Sequence, residues 1–359
     1  MRAVHRWSVA CLATALVLLT PYAGRLRPAS DPDVAAADLL ASVRHSPTTP
    51  YSGIVDVQGR VGLPIADHFS DLADLFGADT RLRVWWRGGE DWRVDRLLET
   101  GEVDLFHHGS TTTQWNYERH EARVSRDPEI RLPRDSDLLP PEVALRALDG
   151  KTAADLDPLP ARRIAGVDAA GLRVPITDPG SSLRRVDLWV DPATGVTLSA
   201  RVYGDSSQPA ISTTFTSYSA ARPEAEVTRF HPAPGIDVFR DRALDIADAA
   251  DEFAMVRAPS SVAGLGRDSG IAAAVYGTGL TRLLAVPLPP READEIANQL
   301  TESGAAREGG LPLLRSGPLG AVVTRGTGAL GVRWLVAGTV TDQTLLEAAY
   351  DLAVRAGRR

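Results

Sequence analysis

Between residues 51 and 218 the chain is a succession of short runs whose residues alternate in character, divided by turn-forming residues. Gly53, Val55, Val57, Gly59 and Val61 alternate with Ile54, Asp56, Gln58 and Arg60, a period of 2. Leu82, Val84 and Trp86 fall on one side of the next run, and Arg81, Arg83, Trp85 and Arg87 on the other. Gly88-Gly89 turns the chain, and runs at 92–98, 102–107, 111–117 and 122–126 follow. Short strands broken by polar or glycine turns predict an antiparallel meander. Further strands are expected at 162–167, 171–176 and 211–218. A hairpin joins 183–190 to 196–203 across Asp191-Pro192-Ala193-Thr194-Gly195, with Pro and Gly where turns favour them.

Helical patterns interrupt the meander. Val34, Leu39, Leu40 and Val43 predict a helix over 33–43, ended by Pro47 and Pro50. Ile65, Phe69, Leu72 and Phe76 recur at helical spacing, with Asp67, Asp71 and Asp74 opposite and Gly77 as the stop. Pro140-Pro141 opens a third helix over 142–148. After Pro232 and Pro234 an acidic helix is expected over 241–256, and Pro259-Ser260-Ser261 closes a linker. The remainder predicts strands at 272–276, 281–288, 321–325 and 332–341 and helices at 291–302 and 342–355. The reading is therefore four parts: an N-terminal 1–30 segment, a domain over 31–235, a linker with an acidic helix over 236–258, and a smaller α+β domain over 259–359.

The N-terminus constrains location. Arg2, His5 and Arg6 precede an apolar run over 7–19, then Thr20 and Pro21, the order of a secretory signal. The run is shorter than the roughly 20 residues of a spanning helix, and Tyr22-Ala23-Gly24 is a loose cleavage motif. A cleaved signal and an uncleaved anchor both stay open; either exports the body to an extracytoplasmic space. Cys11 is the only cysteine, so no intramolecular disulfide or cysteine zinc site forms. It follows Arg6 too closely for a lipoprotein signal. Residues 1–30 carry +4, residues 31–256 carry −13 and residues 257–359 carry +2. An acidic body argues against nucleic acid as partner. All basic residues but Lys151 are arginine, which reads as coding bias rather than chemistry.

Catalytic motifs are missing from the sequence. Residues 326–331 match G-x-G-x-x-G, but Val332 to Ala337 beyond them read as strand, so a hairpin loop is expected and no cofactor. The histidines make no close ligand pair, there is no G-x-S-x-G, and no cysteine lies in the exported body. No catalytic residue and no metal ligand is assigned. The aromatic residues remain. Trp85, Trp86, Trp92, Trp115, Tyr117 and Trp189 all lie on expected strands of one sheet. They either pack beneath covering helices or line an apolar groove. In the second reading the ligand groove comprises Phe69, Leu72, Phe76, Trp85, Trp86, Trp92, Trp115 and Tyr117, with the 65–76 helix closing over an acyl chain or hydrophobic peptide.

Tyr51-Ser52-Gly53-Ile54-Val55, Arg83-Val84-Trp85-Trp86-Arg87, Trp92-Arg93-Val94-Asp95 and Asp187-Leu188-Trp189-Val190-Asp191-Pro192 occur in that order. Together they resemble the N-terminal domain of RseB/MucB-type sigma-factor regulatory proteins in their actinobacterial form, over residues 51 to about 232. That domain is similar to the carriers LolA and LolB and to lipid-binding LppX. The tail from Ala258-Pro259-Ser260-Ser261 sits where such proteins carry a smaller C-terminal domain. The resemblance implies an α+β fold: a strongly curved antiparallel sheet, a half-open barrel, with helices on its concave side and a small C-terminal α/β domain. It implies a non-enzymatic protein that binds an anti-sigma factor or similar membrane partner, shields it from proteolysis and senses a lipid or acyl chain. The alternative is a lipid or lipoprotein carrier.

Overall fold

The computed structural model describes residues 29–62, 76–232, 235–240, 246–253, 256–326 and 332–358. The N-terminal signal or anchor, the 65–75 part of the amphipathic helix with Phe69 and Leu72, and residues 327–331 of the glycine motif lie outside them.

Twelve strands form the larger sheet: β1 (Tyr51–Gly59), β2 (Asp79–Gly88), β3 (Asp91–Leu97), β4 (Glu102–His108), β5 (Thr111–Asn116), β6 (Glu121–Arg126), β7 (Asp157–Ile164), β8 (Val167–Pro175), β9 (Arg185–Val190), β10 (Thr197–Tyr203), β11 (Ile211–Ser219) and β12 (Asp237–Phe239). Their order is β12-β6-β5-β4-β3-β2-β1-β11-β10-β9-β8-β7. Two meanders, β1–β6 and β7–β11, thus join where β1 pairs with β11. Every pairing is antiparallel except β12 beside β6. The sheet is curved and does not close; β12 and β7 are its edges.

The alternation read from the sequence sets the faces. Leu82, Val84 and Trp86 are buried, as are Val186, Leu188 and Val190, and all lie on the face that the helices cover, here the inner face. Helices α1 (Ala36–His45) and α2 (Pro140–Ala147) cover it. Leu39, Leu40 and Val43 of α1 and Val143, Ala144 and Ala147 of α2 pack on Leu172, Leu188, Ala200 and Val202. Leu138 and Leu139, just before α2, pack on Trp86, Trp92 and Leu105. Two glycines permit this approach. A Cβ on Gly53 would lie 2.1 Å from the Ser217 carbonyl oxygen. Gly195, in the β9–β10 turn, has φ +75°, and a Cβ there would lie 2.4 Å from the Ser42 carbonyl oxygen of α1.

The second sheet has the order β14-β15-β16-β17-β21-β20-β19-β18. It contains β14 (Ser261–Val262), β15 (Leu265–Ser269), β16 (Ala274–Thr278), β17 (Thr281–Leu288), β18 (Ala306–Glu308), β19 (Leu311–Ser316), β20 (Leu319–Val323) and β21 (Arg333–Gly338). Helices α3 (Ile246–Phe253), α4 (Pro290–Glu302) and α5 (Asp342–Arg355) pack against it. Leu345, Ala348 and Leu352 of α5 bury against Leu283, Trp334 and Val336, and the Thr341 hydroxyl caps the helix by accepting from the Thr344 N–H at 3.2 Å.

Residues 236–258 are shared between the two sheets. They supply β12 to the first and, through Ala247 and Ala250 of α3, part of the second sheet's core. The acidic helix stops before Val256, because β13 (Val256–Arg257) pairs there with β22 (Gly357–Arg358). β15, β18 and β19 had no clear alternation; β18 is fully exposed, so its pattern carries no burial signal. The glycine motif starts between β20 and β21, which pair antiparallel as a hairpin requires.

The two sheets dock through backbone. Ser182 N–H donates to Thr339 O at 3.1 Å, and Thr341 N–H to Gly180 O at 2.8 Å. The Thr281 hydroxyl donates to Ser181 Oγ at 2.9 Å, and Ile130 of the first unit is buried in the second unit's core.

Candidate functional site

Antiparallel register places side chains from neighbouring strands side by side. On the inner face Tyr51 of β1 faces Trp86 of β2, Trp86 faces Trp92 of β3, and Trp92 faces His107 of β4. The rings stack in one row, with centroids 5.8, 5.7 and 4.9 Å apart and planes within 14°. Offset stacks of this kind add about 0.5–1.5 kcal/mol per pair beyond area burial. Phe215 of β11 closes the Tyr51 end, edge-on at 5.7 Å. The Trp86 indole N–H donates to Pro47 O at 2.9 Å, tying the row to the end of α1.

The other end of the row is polar. His107 Nδ1 lies 3.0 Å from Thr112 Oγ1, and that hydroxyl donates to Asp127 at 2.7 Å. Arg134 bonds Asp127 through both oxygens at 3.0 and 2.9 Å and lays its guanidinium over Trp92 at 5.4 Å. Burial holds His107 below the ordinary imidazole range against the pull of Asp127. Beside it, burial pushes Asp137 upward, but Arg131, bonded at 2.6 and 2.9 Å, and the charge of Arg146 prevail and hold it down to about 2. Burial and then Asp137 raise Glu142. Burial also raises Tyr51 well above a free phenol, and its hydroxyl has no hydrogen-bond partner. Thr112 is buried and already bonded to His107, Asp127 and Arg134, so this cluster clamps strands together and offers no open position for attack on a substrate.

The groove residues named from the sequence fall on both faces. Trp86 and Trp92 are in the inner row, and Phe76 is half-buried at its margin. Trp85 follows Val84 on the strand and so points outward, between the guanidiniums of Arg83 and Arg93 at 5.6 and 5.0 Å. Trp115 is also on the outer face, 6.1 Å from Phe230, and Tyr117 is 57% exposed. The structure therefore unites Trp86 and Trp92 and separates them from Trp85, Trp115 and Tyr117. Tyr51, His107 and Arg134 were not singled out; only cross-strand register, which a single chain's alternation does not state, places them in the row.

An open apolar cleft of about 380 Å³ lies elsewhere, at the β7 edge. Pro32, Val34 and Leu39 form one wall, and Leu159, Ala170 and Leu172 the other. Asp31 holds the wall in place by accepting from the Ala161 N–H at 2.7 Å.

Among the described residues one group of carboxylates gathers closely enough to hold a cation: Asp95, Glu102 and Asp104, on the outer face of β3 and β4. Arg93 already bonds Asp95 at 2.6 Å and Asp104 at 2.8 Å, so a guanidinium occupies the place of the ion. Among the described residues no donor group reaches Asp95 Oδ2 or Asp104 Oδ1. Burial, then the Asp95 charge, pushes Asp104 up to about 7, so a proton balances this pair near neutral pH.

No protein-family model matches the chain, and no curated protein matches it in sequence. Solved structures do match. MucB in complex with MucA(peri) aligns with a TM-score of 0.50 and 17% identity, covering 90% of this chain and 98% of that one. The MucA/MucB complex of Pseudomonas aeruginosa aligns at 0.51 and 15%, covering 90% and 99%. This is the MucB fold. The coverage takes in both sheets of the MucB-like chain, not the larger one alone. A LolA superfamily protein from Nitrosomonas europaea is similar over 55% of this chain, at 13% identity and a TM-score of 0.27.

Proposed function

We propose that the chain is an exported, non-enzymatic regulatory protein of the MucB type, which engages the extracytoplasmic part of an anti-sigma factor. The observation that carries this reading is the match across both sheets to MucB in structures where MucB is bound to MucA. A carrier of lipid would need only the curved sheet and its covering helices. The second sheet, docked by backbone hydrogen bonds, supports a partner-binding role. The Arg2- and Arg6-flanked apolar start supports export, with the body outside the cytoplasmic membrane. Two experiments test the reading. An alkaline-phosphatase fusion after residue 60 is active if the body is exported; a well-expressed inactive fusion contradicts export. Purified body should slow proteolysis of the extracytoplasmic part of an anti-sigma factor from the same organism; unchanged cleavage rates contradict the regulatory role.

A second reading has its own observation. The cleft at the β7 edge is apolar, open and large enough for part of an acyl chain. In this reading it, rather than the tryptophan row, receives the hydrophobic ligand, whether as a signal to a regulator or as a carrier's cargo. Organic extraction of protein purified from the exported fraction tests it: stoichiometric acyl chains support it, and their absence together with no fatty-acid binding removes it.

A further inference from the structure

On the outer face of β7–β10 the charge is one-sided. Register brings Arg173 of β8 beside Asp187 of β9, and Asp187 beside Arg201 of β10; Arg162 of β7 and Arg185 of β9 lie on the same face. Asp187 is buried and already bonded by Arg173 at 2.7 and 3.1 Å, with Arg185 at 3.7 Å. Asp157, opposite Arg173 at the start of β7, is the other carboxylate of this face. Arg162 and Arg201 make no ion pair among the described residues. Both instead lay their guanidiniums on Trp189, at 4.1 and 5.3 Å from its ring centre. Arg185 does the same on Tyr203 at 3.8 Å. The Nε atoms of Arg185 and Arg201 are buried and have no hydrogen-bond partner among the described residues, Asp187 standing 3.7 Å from the first. Burial, then the nearby Arg201 charge, pulls Arg162 below the usual guanidinium range against the weaker pull of Tyr203 and Asp187.

We infer that this face docks an acidic, extended peptide segment of a partner protein. The charge is spread over four neighbouring strands, about 14 Å at the spacing of paired strands, which a single oxyanion cannot span. Guanidiniums held flat on aromatic rings are pre-ordered to meet carboxylates in bidentate fashion. The rest of residues 31–256 is acidic, so this patch is the opposite sign from its surroundings and steers an acidic segment to itself. Strand addition at the β7 edge is blocked: Pro158 and Pro160 lack N–H groups, and Asp31 occupies the Ala161 N–H. Recognition must therefore use the side chains of the face. The inference does not depend on the identity of the partner or on the anti-sigma reading.

The test is fluorescence anisotropy with a labelled peptide of alternating Glu and Ser, a Gln-and-Ser control, and phosphatidylglycerol vesicles. Wild-type body should bind the Glu peptide at least about ten-fold tighter than the Gln peptide, and weaken as salt rises from about 50 to about 200 mM. Arg162→Gln with Arg201→Gln should lose at least about ten-fold in affinity for the Glu peptide. Arg162→Glu alone, at an exposed side chain that leaves the Trp189 packing to Arg201, should lose binding too and guards against a misfolded double variant. No binding by wild type at low salt, or unchanged binding in both variants, overturns the inference. So does vesicle binding that the double variant abolishes, which would make the face a membrane site.

Discussion

The two halves of the large sheet share one backbone geometry but balance the charge of their outer faces differently. On β2–β5 the outer charges are paired: Asp95 and Asp104 are 0% and 2% exposed around Arg93, Arg83 stands 3.6 Å from Glu102, and Phe230 packs over Phe106 and Trp115 beside them. On β7–β10 guanidiniums outnumber carboxylates: Arg173 and Arg185 share Asp187, while Arg162 and Arg201 lie on Trp189 with no ion pair among the described residues. The inner faces differ as well. The β1–β4 half is filled by its stacked aromatic row, whereas the β7–β8 edge opens into a cleft. A filled half whose charges are paired is suited to holding the fold. A base-rich half with an open edge is suited to meeting other molecules.

That contrast can be broken most severely from the inside. Trp86→Ala should destabilise the body by about 3–5 kcal/mol in urea unfolding, because it removes the middle of a filled row. Leu188→Ala, fully buried beneath α1 and α2, should cost roughly 2–5 kcal/mol. In contrast, Val34→Ser at the cleft should cost less than about 1 kcal/mol, since the side chain is 36% exposed, yet weaken binding of a fluorescent fatty acid. Equal losses from Trp86→Ala and Val34→Ser would erase the distinction between filled and open regions.

A pH effect sharpens it. Asp104 is raised to about 7 in the fold, so the folded state holds a proton that the unfolded chain releases near the ordinary carboxyl value of 3.8. Its contribution to stability is fully present below the unfolded value and is lost as pH climbs toward 7. Asp95 and Glu142, also raised by burial, act in the same direction. His107, held low, acts in the opposite one over part of that window. The clean readout is a difference: stability of Asp104→Asn relative to wild type should grow between pH 4 and pH 7 and level off above it. A difference that stays flat over this range would show that Asp104 is ionised throughout.

Much of the fold was legible because burial on one face leaves a period-2 trace. Leu82, Val84 and Trp86 against Arg83 and Trp85 set both faces of β2, and the Asp191–Gly195 turn set the β9–β10 hairpin. β18 left no such trace because all three of its residues are exposed. The site was less legible for a related reason. Trp85 and Trp86 are adjacent in sequence and both aromatic, so composition groups them, while the pleat separates them. Tyr51, Trp86, Trp92 and His107 are distant in sequence, and only register stacks them. The arginine face was hidden by abundance: arginine is the chain's usual basic residue, and what distinguishes Arg162 and Arg201 is that both lie on Trp189 and neither makes an ion pair among the described residues.

The most direct test of the proposed regulatory account is isothermal titration of residues 31–359 with the extracytoplasmic part of an anti-sigma factor from the same organism. The account predicts saturable one-to-one binding with a Kd of about 1 μM or tighter, some 8 kcal/mol. No heat at far higher concentrations, from protein that is folded by its thermal melt, would contradict it.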